Sequence, residues 1–287
     1  MRPALRLTDQ PLPLQQSEGF ARALQRMGRA ADLRGLHDAG QVLIVSRSFG
    51  RFGDLRFASR GPVFLDDATF ADRVHALRDA RLHVVNAGPG QGAVLRAAGF
   101  RQIMTPASVA IMQIDDDPDT QMAQCHGKWR NAARQGELSG LRLKQRLFCP
   151  DRDDWLLAAD AAQQKAKGFR ALPHGLSIAF AQANPGDAVI VTALDGASTV
   201  AAMLFLRHGA AATYQIGWSG PRGRSLRAHH MMLLAAARRL AALGGTELDL
   251  GTVDTEHAPG LARFKIGAGA TVVELGGTWV RLPGWRR

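Results

Sequence analysis

Apolar residues recur at helical spacing from residue 17 to 36, where Phe20, Leu24 and Met27 share a face and Ser17 suits an N-cap, so a first helix is predicted there. The pattern then changes to β-forming runs at 41–49 and 54–64, read as two strands joined by a turn of glycines and arginines. A helix over 68–79, a short buried strand at 82–86, a tight turn at 88–92, a short helix over 93–98 and, within 100–114, an extended run at 109–114 come after them. Asp115, Asp116, Asp117 and Pro118 interrupt the pattern, and this acidic turn is taken as the boundary between residues 1–118 and residues 119–287. The second part opens with a predicted helix over 119–138 whose apolar stripe is Met122, Cys125, Trp129 and Ala132. A strand at 141–148 and a helix capped by Asp151 and ended by Gly168 come next. Strands at 187–194 and 199–206 flank the Asp195-Gly196 turn, and a third runs through 211–219. A long helix over 226–243, a buried strand at 247–251, a short helix between Pro259 and Gly267 and two last strands close the chain. Helical crossovers between neighbouring strands predict an α/β fold with mixed sheets (α+β in character) and a ligand beside the strand ends.

Composition narrows the class. With 287 residues, 46% of them apolar and 21% charged, the chain can bury one large core or two smaller ones, and neither disorder nor a coiled coil fits. Two cysteines, Cys125 and Cys149, exclude a disulfide framework and a zinc ribbon, and the scattered histidines suggest no metal site. Prolines and glutamines stand where a signal peptide needs an apolar run, and the apolar stretches are too short to span a bilayer, so a cytoplasmic protein without a transmembrane segment is expected. A formal net charge of +11 favours anionic, phosphate-bearing partners.

Five motifs, in order, carry a family resemblance. Ser59-Arg60-Gly61-Pro62-Val63 comes after a strand, and Gly127-Lys128-Trp129-Arg130-Asn131-Ala132-Ala133-Arg134 opens the second half. The other three are Tyr214-Gln215-Ile216-Gly217-Trp218-Ser219, Asp249-Leu250-Gly251 and Gly260-Leu261-Ala262-Arg263-Phe264-Lys265. Together they resemble the FemAB family, the tandem acetyltransferase-like peptidoglycan aminoacyltransferases. The resemblance implies two tandem GNAT-like halves and an N-acyltransferase. Its cosubstrate would be acyl-CoA or aminoacyl-tRNA, with no permanently bound cofactor. Its acceptor would be an amine, a cell-envelope precursor being the family example, with transfer RNA as a partner if the donor is aminoacyl-tRNA.

The same resemblance gives Lys265 the role of stabilising the oxyanion that develops as the amine attacks. Tyr214, on a strand expected to line the cleft, and Asp249, at the end of a buried strand, join it as catalytic candidates. In acetyltransferases the strand-to-helix turn holds a pyrophosphate. Here that turn is Gly220-Pro221-Arg222-Gly223-Arg224-Ser225-Leu226-Arg227, and Arg222, Gly223, Arg224, Ser225 and Arg227 are the donor-phosphate candidates. Arg130 and Arg134 share a helix face by their spacing of four, with Lys128 on the other flank of Trp129. With Arg60 and Asp254 they are the substrate-binding candidates, arginine offering bidentate contacts to phosphate. Two other readings are carried forward. A non-catalytic protein binding nucleic acid or an anionic headgroup suits the arginine content. A methyltransferase using S-adenosylmethionine suits the turn Gly88-Pro89-Gly90-Gln91-Gly92.

Overall fold

The computed structural model describes residues 10–50, 53–169 and 171–281. Among them the strands form two sheets of seven. The first contains β1 (Ala30–Gly35), β2 (Gly40–Ser48), β3 (Asp54–Ser59), β4 (Val63–Phe64), β5 (Val84–Asn86), β6 (Arg101–Met104) and β14 (Thr278–Val280). Their order is β1-β2-β3-β5-β14-β6, with β4 on β2, and only β3 and β5 run parallel. The second contains β7 (Ser108–Gln113), β8 (Arg142–Leu147), β9 (Ala188–Asp195), β10 (Ser198–His208), β11 (Ala211–Ser219), β12 (Glu247–Val253) and β13 (Thr271–Glu274). It is ordered β13-β7-β12-β11-β10-β9-β8, and only β11 and β12 run parallel. The mixed α/β class is as expected. Residue 118 does not divide the strands by sheet. β7 precedes it yet pairs in the second sheet, and β14, near the end of the described chain, pairs in the first.

Three apolar clusters hold this together. The first sheet packs against α2 (Phe70–Asp79) and α3 (Gly92–Ala97) through Val85, Leu77, Leu95 and Trp279. One face of the second sheet, with Met203, Phe205, Leu248 and Leu250, packs against α5 (Gly127–Glu137) and α9 (Ala228–Ala241). Its other face, with Ile190, Leu204 and Leu206, meets α1 (Glu18–Arg26), α6 (Asp154–Lys167) and α7 (His174–Ala183). Phe20 and Leu43 from the N-terminal part join that last cluster, so the two sheets share a core.

Two helix predictions needed correction, and one helix had no prediction. The first helix stops at Arg26 and β1 comes next, because Gly28 adopts φ +70 and turns the chain before residue 36. The helix predicted over 119–138 is two, α4 (Pro118–Gln124) and α5. Cys125 and His126 are extended between them, and His126 N–H donates to the Gly267 carbonyl (2.9 Å). The segment 174–183, unassigned from sequence, is α7, with Pro173 as its N-cap. The remaining helices are α8 (Pro221–Ser225) and α10 (Pro259–Gly267).

Candidate active site

β11 and β12 pair at three positions only, Ala211 with Glu247, Ala212 with Leu248 and Thr213 with Asp249. Beyond these the strands part. On β11, Tyr214 pairs with Phe205 while Ile216 pairs with Leu204, leaving Gln215 as a bulge. On β12, Gly251 adopts φ +79 and the register with β7 shifts between Asp249 and Thr252. A bulge on one strand and a left-handed kink on the other twist the pair apart. The wedge opens at the C-terminal ends of the parallel strands, where open α/β sheets bind ligands.

Lys265 sits at this wedge. Its residue is 5% exposed, and its ammonium donates to the Thr252 carbonyl (2.7 Å). Burial pulls its pKa down to about 8, with the Asp249 carboxylate pulling the other way. Gly251 lies next to the ammonium, a Cβ there standing 3.7 Å from Nζ in ordinary contact, and it is the left-handed kink that calls for glycine. Helix α10 is anchored by aromatic contacts. Trp129 Nε1–H donates to the Phe264 carbonyl (3.0 Å), and the Phe264 ring lies 5.9 Å from Trp129 and 5.2 Å from His230. Trp129 also packs 2.8 Å from where a Cβ on Gly267 would stand. The motif tryptophan on α5 therefore positions the motif lysine on α10.

Tyr214 lies on the α9 side of β11, its ring 5.6 Å from Phe205 and its hydroxyl over Gly217, where a Cβ would come within 1.6 Å. Burial and the nearby Asp160 carboxylate raise its pKa, so the phenol stays protonated. Gln163 on α6 donates to the Gly217 carbonyl (3.1 Å) and ties the bulged strand to the opposite face.

After β11 the chain makes α8 and reaches α9 through Arg227 in the left-handed region (φ +56). Gly223 is pressed against β10, since a Cβ there would stand 2.3 Å from the Val200 carbonyl oxygen. Arg222 donates to Asp195 (2.7 Å), Arg224 folds back on the Ser219 carbonyl, and Ser225 donates to the Arg222 carbonyl (2.8 Å). The expected donor residues are thus neighbours in one turn that rests on β10 and reaches β9 through Arg222, with two of the three arginines engaged at its surface.

The expected substrate-binding residues are not brought together. Lys128 and Arg134 are exposed on α5, and Arg130 donates to the Ala123 carbonyl (3.2 Å). Asp254 accepts from the Glu256 and His257 amides (3.0 and 2.7 Å) and caps the turn after β12. Arg60 and Asp249 are bonded to each other across the two sheets, their side chains 17% and 6% exposed. Asp249 also accepts from the Gly251 amide (2.7 Å).

Two histidines of the site were missed as participants. His229 Nε2–H donates to the Trp218 carbonyl (2.9 Å), and the His230 ring packs tilted against Trp129 (5.0 Å) and edge-on to Phe264 (5.2 Å). Burial lowers both pKa values, that of His230 to about 4, so they are neutral packing and positioning groups. Only their place at the start of the helix after the motif strand could have pointed to them.

The second sheet, its parted parallel pair and the turn after β11 define an acyltransferase domain of the GNAT type. A family model described as an acetyltransferase (GNAT) domain matches residues 121–265, about half of the chain, and the protein belongs to that family. Solved structures extend the likeness to the whole fold. FemX is 16% identical, with a TM-score of 0.75 over 93% of this chain and 91% of that one. The C-terminal domain of a putative lysylphosphatidylglycerol synthetase from Agrobacterium fabrum is 13% identical, with a TM-score of 0.59 over 94% and 89%. A tandem GNAT protein from the clavulanic acid biosynthesis pathway is 14% identical, with a TM-score of 0.52 over 99% and 93%. No curated protein matches the sequence. The FemAB-like acyltransferase fold expected from the ordered motifs is borne out. Among the described residues no helix is long and apolar enough to cross a membrane.

Proposed function

We propose that the protein transfers an acyl or aminoacyl group from a phosphate-bearing donor, acyl-CoA or aminoacyl-tRNA, to an amine in the cytoplasm, by direct attack within a ternary complex. The observation that supports this most directly is the buried Lys265 ammonium at the mouth of the parted strands. The donor's phosphates lie against the turn of Arg222, Gly223, Arg224, Ser225 and Arg227, and its acyl carbon enters the wedge. The amine nitrogen bonds to the carbonyl carbon, the carbonyl oxygen takes up negative charge, and Lys265 meets it there. Collapse breaks the bond to the donor's sulfur or oxygen, and the amine's proton leaves through the substrates or water. A pKa of about 8 keeps Lys265 cationic at neutral pH, and its poor hydration strengthens its hold on the oxyanion. Asp249 acts through its field on Lys265, because both its oxygens are engaged, by Arg60 and by the Gly251 amide. Tyr214 shapes the wedge and offers a neutral hydroxyl. The acceptor is an amine of the kind found on cell-envelope precursors, and Lys128, Arg130 and Arg134 offer positive charge to a phosphate that it carries.

Thermal shift with acetyl-CoA, a longer acyl-CoA and an aminoacyl-tRNA tests this reading. One donor class should raise Tm by several degrees, as expected for a ligand present at about 100 times its Kd, and should then support transfer to an amine. No shift and no transfer with any of the three would overturn it.

A further inference from the structure

The Arg60-Gly61-Pro62-Val63 segment and the Gly88–Gly92 turn, unrelated in sequence, border one cavity of about 290 Å³ in the first sheet's half of the molecule. It lies at the C-terminal ends of β3 and β5. These strands pair in parallel at Phe57 with Val84, Ala58 with Val85 and Ser59 with Asn86, and each then runs directly into one of the two segments. This is the topological position that the transfer wedge occupies in the second sheet. Gln91 fixes the floor, accepting from the Gly88 amide (2.9 Å) and donating to the Pro62 carbonyl (2.5 Å).

The wall chemistry is lopsided toward cations. Arg60 and Arg73 both line the cavity, and each carries a buried Nε–H without an acceptor among the described residues. Arg73 is held in place by its bond to the Leu65 carbonyl (2.9 Å) and by the Phe64 ring 5.5 Å away. Arg60 is held by Asp249. The one carboxylate on the wall, Asp66, is exposed. Val63, Phe64 and Val94 make the rest of the wall apolar.

We propose that this cavity binds an oxyanion, phosphate or carboxylate, carried on a small apolar body. Arg60 and Arg73 meet the oxyanion, and Phe64 and Val94 meet the body. The donor does not bind here, and the site stands whether or not the transfer chemistry is as described. Because Arg60 reaches Asp249, and Asp249 faces Lys265, the occupant is electrically linked to the wedge.

Isothermal titration with phenyl phosphate, benzoate and phenol tests the assignment. Saturable one-to-one binding of phenyl phosphate or benzoate, whichever oxyanion is held, with none of phenol, supports it. Arg73→Gln should weaken that binding about tenfold, and the exposed Asp66→Asn should tighten it about twofold by removing a like charge. If Arg73→Gln loses its fold by circular dichroism, Asp66→Asn decides, and unchanged affinity overturns the proposal. Absent binding, binding indifferent to Arg73→Gln in a folded protein, or binding lost in Arg222→Gln/Arg224→Gln also overturns it. The last result would place the anion at the donor turn.

Discussion

The two sheets each contain one parallel strand pair, and each pair holds for three positions before it ends. Past its third position each pair takes a different course. After Thr213 and Asp249 the strands separate, and the space is met by a lone buried ammonium whose pKa is about 8. After Ser59 and Asn86 the gap is bridged, by the Gly61 amide donating to the Asn86 carbonyl (3.3 Å) and by both ends of the Gln91 amide. The same topological device is left open in one half and closed to a bordered cavity in the other. The difference is local: a bulge at Gln215 and a left-handed Gly251 open one pair, while a glutamine reaching across a turn closes the other. One ion pair, Arg60 with Asp249, joins the two regions.

Removing the open pair's cation should have the largest effect. Lys265→Met keeps the volume and the burial, so the fold should persist and Tm should hold or rise, while kcat falls by about 10²–10³, as for loss of one oxyanion donor. In the wild type the rate should decline as pH rises through about 8. Stability should move the other way. Lys265 binds its proton less tightly folded than unfolded, so from about pH 8 up to the ordinary value of 10.5 the unfolded chain holds the extra proton. The contribution of this group to stability therefore rises over that window. A rate that stays flat to pH 10, or a Lys265→Met variant with full activity, would remove Lys265 from the chemistry.

Cutting the link between the halves comes next. Arg60→Met leaves the Asp249 carboxylate buried without its partner, which should cost about 3–5 kcal/mol in denaturant unfolding. Arg60→Met/Asp249→Leu should recover most of that loss, since an apolar pair leaves no uncompensated charge. If the single and double variants are equally destabilised, the pair is incidental and the halves are joined by their shared core alone.

The donor turn gives a smaller, local effect. Gly223→Ala drives a methyl group to 2.3 Å from the Val200 carbonyl oxygen and 2.6 Å from Ser219 Oγ. Overpacking of this kind costs about 1–3 kcal/mol. It should also displace the turn and raise the donor KM more than it lowers kcat. Equal KM values for wild type and variant would show that the turn does not carry the donor.

How much of this was readable from the residues depends on the range of the interactions. Local signals served well. Gly168 ends α6 in the left-handed region, Pro259 starts α10, and the strand runs at β9, β10 and β11 lie where their β-branched and aromatic residues predict. The motif lysine falls in a plausible site because Phe264 and Lys265 belong to one short helix. Long-range pairing left no local trace. Nothing in Thr278, Trp279 and Val280 tells that β14 enters the first sheet between β5 and β6. Arg60 and Asp249 read as two separate site residues, yet they neutralise one another across 189 positions. The segment 174–183 was unreadable for a different reason: Pro173 and Gly175 look like loop punctuation, although proline suits a helix start.

Arg222 carries the smallest and most discriminating prediction. Its guanidinium donates to Asp195, and the two side chains are 61% and 41% exposed. An exposed pair of this kind contributes at most about 1 kcal/mol, and often nothing measurable. Arg222→Gln should therefore leave denaturant unfolding unchanged within about 0.5 kcal/mol. If Arg222 instead leaves Asp195 for the donor's phosphate when the donor arrives, the variant should raise the donor KM several-fold with kcat intact. Added salt should shrink the difference, as screening weakens an exposed contact. Asp195→Asn sharpens the comparison by freeing Arg222 beforehand, and it should lower the donor KM. A pair that answers to neither substitution is surface decoration, and phosphate binding then falls to Arg224, Arg227 and the amides of the turn.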